Sequence, residues 1–152
     1  MRDVFARSFG VRRRGRFVAA AFVAAAVLAA FGATGCGSPS PDLFEVIRTG
    51  ADRNANVDMV VNDGGAVTCN RKQHPLPAPD LLRARALVRA LEPQAQLNLS
   101  LPPGPSANLS YRVRQEAGTI TFTDTSKAIP SSFQQLAAFT KDVSEGICGL
   151  QR

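Results

Sequence analysis

Three features of the chain predict an α+β domain, built as a two-layer antiparallel sheet of about five strands with two helices packed on one face. Two stretches alternate apolar and polar residues at strand periodicity, each folding back on a glycine-bearing turn into a hairpin. After each hairpin come a proline-bearing connection and a segment with helical periodicity. Only one face of the strands is apolar, which is what a sheet covered on one side requires.

The first strand is "LFEVIRTG", residues 43–50, where Phe44, Val46 and, less plainly apolar, Arg48 alternate against Glu45, Ile47 and Thr49. In "VDMVVNDGGAVTCN", Val57, Met59 and Val61 share a face. A three-residue loop, Asp63-Gly64-Gly65, pairs Val61 with Val67 and Met59 with Cys69, so Cys69 points inward. The first helix is "LPAPDLLRARALVRALEP". Pro79 and Asp80 suit its first turn, Pro93 is expected to stop it, and Leu81, Ala84, Leu87, Val88 and Leu91 form its apolar stripe. In the second hairpin, "LSYRVRQEAGTITFTD", a turn around Gln115 to Gly118 pairs Val113 with Ile120 and Tyr111 with Phe122. "PSSFQQLAAFTKDVSEGICG" then reads as a helix with a serine cap and an apolar face of Phe133, Leu136, Phe139, Val143 and Ile147.

Between the halves lies "EPQAQLNLSLPPGPSAN", a connection or edge strand. Leu97, Leu99 and Leu101 alternate there with Asn98 and Ser100, and the following prolines forbid further ladder pairing, which suits an edge. Such an edge could receive a strand from a partner, with Asn98 and Ser100 facing outward. Leucines that merely cover the core beneath a long connection are the plainer reading.

The N-terminus has a different character. Residues 1–16 carry six arginines and one aspartate, and residues 17–31 are uncharged and apolar. The apolar run of about 15 residues falls short of the roughly 20 that span a bilayer core, and small residues follow it, so it reads as a cleaved export signal. Ala33-Thr34-Gly35-Cys36 resembles the lipobox of bacterial lipoproteins, with Ala33 where leucine is commonest. The resemblance implies a thioether-linked diacylglycerol on Cys36, a palmitate-type membrane anchor facing the extracytoplasmic side, and removal of residues 1–35. The expected organisation is a signal peptide over 1–35, a lipidated cysteine and short tether over 36–42, and one domain over 43–152. Arg13-Arg14 also resembles a twin-arginine export signal, which leaves the export route open.

Processing changes the electrostatic reading. The precursor has a net charge of +6, but residues 1–35 hold six of the 18 basic residues and one of the 12 acidic ones. The mature chain then balances 12 against 11, which gives no reason to expect a nucleic-acid partner. Lipidation of Cys36 also resolves the odd count of three cysteines, leaving Cys69 and Cys148. Exported proteins permit disulfides. Pairing would close a loop of about 80 residues and contribute on the order of 4.5 kcal/mol; two buried free thiols are the alternative.

Chemistry is sparse. The one histidine, His74 in "RKQHPLP", stands among basic and apolar neighbours in an expected loop, without an evident nucleophile or orienting carboxylate. One histidine and two cysteines cannot complete a closed nitrogen and sulfur metal site, and the carboxylates form no calcium-loop pattern. Arg83, Arg85 and Arg89 on the first helix, with Arg112 and Arg114 on a strand, read as solvated faces; contact with anionic headgroups or an acidic partner is the alternative. No catalytic residue, cofactor or metal is expected.

Across the mature domain, "PDLFEVIRTG", "NDGGAVTCN", "LLRARAL", "YRVR", "GTITFTDTS" and "FTKDVSEGICG" resemble a group of small lipoproteins of high-GC Gram-positive bacteria to which no activity is assigned. The element order is also similar to the emfourin inhibitors of thermolysin-type metallopeptidases, through Leu76-Pro77, Ser110-Tyr111-Arg112-Val113 and Ile129-Pro130. The expectation is a monomeric, non-enzymatic, lipid-anchored binding or interaction module with a protein partner. Protease inhibition is the alternative that the second resemblance implies, and a small hydrolase ranks last.

Overall fold

The computed structural model describes residues 42–151. Its central strand is β1 (Asp42–Gly50), where the Phe44, Val46, Arg48 series lies. It pairs antiparallel with β2 (Val57–Asn62) on one side and with β5 (Leu109–Gln115) on the other. Beyond β2 come β3 (Ala66–Cys69) and β4 (Lys72–Pro75), and beyond β5 comes β6 (Gly118–Thr123), giving the order β4-β3-β2-β1-β5-β6. Two helices, α1 (Ala78–Gln96) and α2 (Ser131–Gly146), complete the domain. The architecture is the expected α+β one, with six strands in place of five.

Both hairpin registers follow from side-chain parity. Val61 stands opposite Val67 and Met59 opposite Cys69; Val113 stands opposite Ile120 and Tyr111 opposite Phe122. A slip of one residue would turn each apolar set to the other face. The inward side chains meet the helices in one core, where Phe44 sits edge-on to Phe139 at 5.9 Å between ring centroids. Phe122 stacks on Tyr111 at 4.8 Å and packs against Phe133 at 4.9 Å.

The additional strand, β4, contains the stretch around His74 that reads as a loop. Its residues are mostly exposed, so no apolar alternation marks it. A two-residue turn makes it instead: Asn70 (φ 47°) and Arg71 (φ 72°) both take left-handed conformations, as a type I′ hairpin turn demands. Arginine in place of the usual glycine hides that signal. Asn70 is held by β2, since its N–H donates to the Asp58 carbonyl at 2.8 Å and its Oδ1 accepts from the Asp58 N–H at 2.9 Å.

Both helix boundaries need correction. Pro93 does not stop α1, which continues to Gln96. The extra turn is held by packing: Ala95 is buried, and its carbonyl lies so close to Gly118 that a Cβ there would collide with it. Gly118 also has φ 144°, so glycine is required on both counts. No serine side chain caps α2 either; Pro130 occupies the cap, and its carbonyl accepts from Phe133 and Gln134.

Arg48 lies inward, as its place in the alternation suggests, and only 1% of its surface is exposed. Nε donates to the Ala55 carbonyl at 2.8 Å, one terminal nitrogen donates to the Asn54 carbonyl at 3.2 Å, and the other donates to Ser144 Oγ at 3.3 Å. One guanidinium thereby ties β1 to the turn that follows it and to the last turn of α2. Beside this knot Cys69 and Cys148 are at disulfide distance, with Cα atoms 6.1 Å apart. Cys148 lies just beyond α2 rather than in its last turn.

Replacing Arg48 with leucine would remove the donor from the Ala55 carbonyl and Ser144, which are buried, and from the exposed Asn54 carbonyl. The expected cost is about 3 kcal/mol, read as a lower urea midpoint at unchanged m-value. Arg48→Lys should recover only part of it, because an ammonium cannot span the three acceptors. A variant as stable as the parent would show that the buried guanidinium does not hold this end together.

Candidate functional site

Opposite the Arg48 end of β1 the sheet is not sealed. The register shifts between Asp42 and Phe44, so Leu43 stands at a bulge where β1 begins. Bulges re-aim side chains and interrupt pairing. At that bulge two adjoining clefts of about 570 and 410 Å³ share Asp42, Leu43, Gln115 and Glu116. The larger is completed by Asp63 from the β2–β3 loop, by Val88, Glu92 and Gln96 of α1, and by Ala117 of the β5–β6 turn.

Gln115 lines both clefts, with its amide buried beneath their surface. It follows Leu109, Tyr111 and Val113 as the fourth inward residue of β5, so strand parity drives a polar amide under α1. The residue is 8% exposed, and neither its side-chain nitrogen nor its oxygen has a hydrogen-bond partner. An unmet buried amide costs about 1–3 kcal/mol, and most buried polar groups in folded proteins are satisfied. The turn around Gln115 was legible in the sequence, but the amide reads there as an ordinary turn residue. Counting the alternation of β5 one position further would have found it.

Around that amide the cleft is acidic. Asp63 is already committed, accepting from Arg85 Nε at 2.7 Å. Asp42 accepts from the Asn62 side chain at 3.4 Å, and Glu92 accepts from Gln96 at 3.1 Å. Neither Glu92 nor Glu116 forms an ion pair among the described residues. On the neighbouring open face of the sheet, Glu45 pairs with Arg114 at 2.9 Å. No group of three or more His, Cys, Asp or Glu side chains among the described residues could hold a metal ion.

The other residues singled out in the sequence lie elsewhere. Cys36 falls outside the described residues. Residues 97–101 run beside β6: the Thr121 N–H donates to the Leu99 carbonyl at 3.0 Å, and the Leu101 N–H donates to the Thr121 carbonyl at 2.9 Å. Ser100 thus forms a parallel bridge with Thr121. Leu99 and Leu101 are half-buried, but Leu97 is 78% exposed, because the longer α1 puts it at the helix cap instead of in a strand. Asn98 does not simply face outward; its Oδ1 accepts from the Thr119 N–H at 3.0 Å. His74 lies on β4, opposite Val67.

Two of the helix arginines are engaged. Arg85 anchors the β2–β3 loop, and Arg83 bonds Asp80 at 3.1 Å and Asp142 of α2 at 3.0 Å while lying over the Phe139 ring. The Asp142 hydrogen bond raises the Arg83 guanidinium above its ordinary value; partial desolvation opposes this and Asp80 assists. Among the described residues no helix is long and apolar enough to cross a membrane. The chain matches no protein-family profile, no curated protein and no solved structure.

If Gln115 is kept for what enters the cleft, and not for the fold, then Gln115→Leu should raise stability by about 1 kcal/mol, because it removes an unsatisfied buried amide. Thermal and urea unfolding measure this. A loss of 1 kcal/mol or more would mean that the amide serves the fold itself.

Proposed function

We propose that this protein is a lipid-anchored, extracytoplasmic binding module. A diacylglycerol on Cys36 holds it at the cell membrane, and the cleft at the start of β1 receives a protein partner. The anchor rests on the sequence: a basic n-region, an apolar run and Ala33-Thr34-Gly35-Cys36. The observation that carries the binding reading is the buried, unpartnered amide of Gln115 in a cleft lined by carboxylates. Ligand sites characteristically combine a concave shape with a few convergent polar groups.

Five residues lie between Cys36 and Asp42, which makes six residue-to-residue steps, so a fully extended tether reaches about 20 Å. The cleft therefore operates close to the membrane surface, which favours a partner that is itself membrane-bound or surface-bound. Strand addition at residues 97–101 is a second docking mode. It is less favoured, because only Ser100 directs backbone groups away from β6 before Pro102 and Pro103, which have no N–H to donate.

Anchoring is tested by expressing the precursor in a lipoprotein-processing host. The mature chain should partition into detergent and begin at an acylated Cys36 by intact mass, whereas Cys36→Ala should be released from membranes. Mature protein that retains residues 1–35, or that carries an unmodified Cys36, contradicts the anchor.

A further inference from the structure

We propose that the Asp63-Gly64 bond is a self-modification site, where the aspartate closes onto the chain as a succinimide and reopens as isoaspartate, and that Arg85 controls its rate. The chemistry belongs to the β2–β3 loop itself and is independent of what binds beside it.

Cyclisation needs an unhindered amide on the residue after the aspartate, and only glycine lacks the Cβ that obstructs it. Asp63 is the one aspartate or asparagine in the chain that a glycine follows. The turn does not itself demand glycine at that position, since Gly65 carries the positive φ of this loop, at 85°. Water reaches the bond too. The Asp63 side chain is 37% exposed, and Gly64 lies at the surface.

The reaction is intramolecular and needs no co-reactant but water. The Gly64 nitrogen attacks Asp63 Cγ, a C–N bond forms, and the hydroxyl of the carboxylic acid leaves with the amide proton as water. A second water then opens the ring. Its hydroxyl goes to the main-chain carbonyl carbon of Asp63, its proton returns to the nitrogen, and the bond between those two atoms breaks. The chain now runs through Cβ and Cγ and is one main-chain atom longer. Loop length and turn geometry set a hairpin's register, so the product strains the Asn62 to Ala66 pairing and shifts Asp63 on the rim of the larger cleft.

In the folded chain both reacting groups are engaged. Arg85 Nε donates to Asp63 Oδ1 at 2.7 Å, and a terminal nitrogen donates to the Asp63 carbonyl at 3.2 Å. One guanidinium therefore holds the side chain and the main chain of the reacting residue. The Gly64 N–H donates to Asn62 Oδ1 at 2.7 Å. Attack requires the carboxyl group to swing free of Arg85 and the amide to leave Asn62. Arg85 comes from α1, so helix packing imposes the clamp from outside the loop. Both partners are part-exposed, and ion pairs of that kind are weak; the clamp slows the reaction without abolishing it.

The test ages the purified protein at physiological temperature in mildly acidic buffer. The tryptic peptide of residues 54–71 is then read by electron-transfer fragmentation, which separates isoaspartate from aspartate at equal mass. Asp58, followed by methionine, is the control on the same peptide. Isoaspartate should accumulate at residue 63 and not at residue 58. It should form at least fivefold faster in folded Arg85→Gln than in the folded parent, and at an intermediate rate in Arg85→Lys, whose ammonium cannot hold both oxygens in the same way. In urea the parent and both variants should react alike, and Gly64→Ala should suppress the product in every state. No isoaspartate at residue 63 in any folded form overturns the site. Equal rates in the folded parent and Arg85→Gln, or a difference that persists in urea, overturn control by Arg85. Should Arg85→Gln fail to fold, Arg85→Lys decides the same point, and a rate equal to the parent's overturns that control.

Discussion

Arg48 is the constraint on which the arrangement of this domain depends. A buried guanidinium is tolerable only when its donors are met, and here they are met by the Asn54 and Ala55 carbonyls and by Ser144. Those partners come from the turn after β1 and from the final turn of α2, so satisfying one side chain fixes where the last helix ends over the sheet. The chain beyond α2 is then drawn across the same end. Leu150 N–H bonds the Ser144 carbonyl, Asn54 bonds Gln151, and Cys148 reaches Cys69. The C-terminal end of β1 is closed by polar bonds and a paired cysteine.

Its N-terminal end shows the opposite state. There β1 begins with a bulge, two clefts open beside it, and the neighbouring strand delivers an amide with no partner. The strand is therefore satisfied at one end and left with unmet polar demand at the other. The unsatisfied end is also the N-terminal end of β1, the end nearest in sequence to Cys36, where the proposed anchor would attach. Arg85 on Asp63 and Arg114 on Glu45 flank the opening. They steady its rim, and neither pair engages Glu92 or Glu116.

What could be read in the sequence was whatever side-chain parity controls. Period-two alternation with the short turns gave both hairpin registers, because a one-residue slip would expose Met59, Val61, Tyr111 or Phe122. It did not reveal β4, an edge strand whose pairing comes from backbone bonds and the unusual Asn70-Arg71 turn. Pro93 misled because local propensity says stop, while burial of Ala95 against Gly118 outweighs it; that error in turn misplaced Leu97 and Asn98. The key groups of the two ends were the hardest to read. Arg48 has an apolar stem and a charged head, and Gln115 looks like any polar residue entering a turn. Both become informative only once burial is known.

The central claim is that the open end of β1, rather than the uncovered sheet face or residues 97–101, meets the partner. Hydrogen–deuterium exchange of the protein in native membranes, compared with the same protein purified in detergent, measures this directly. The account predicts added protection at residues 42–44 and 115–118, with little change around Arg48 and its bonded turn. Protection appearing instead along Ile47, Arg112 and Thr121, or at residues 99–101, with none at the start of β1, would contradict it.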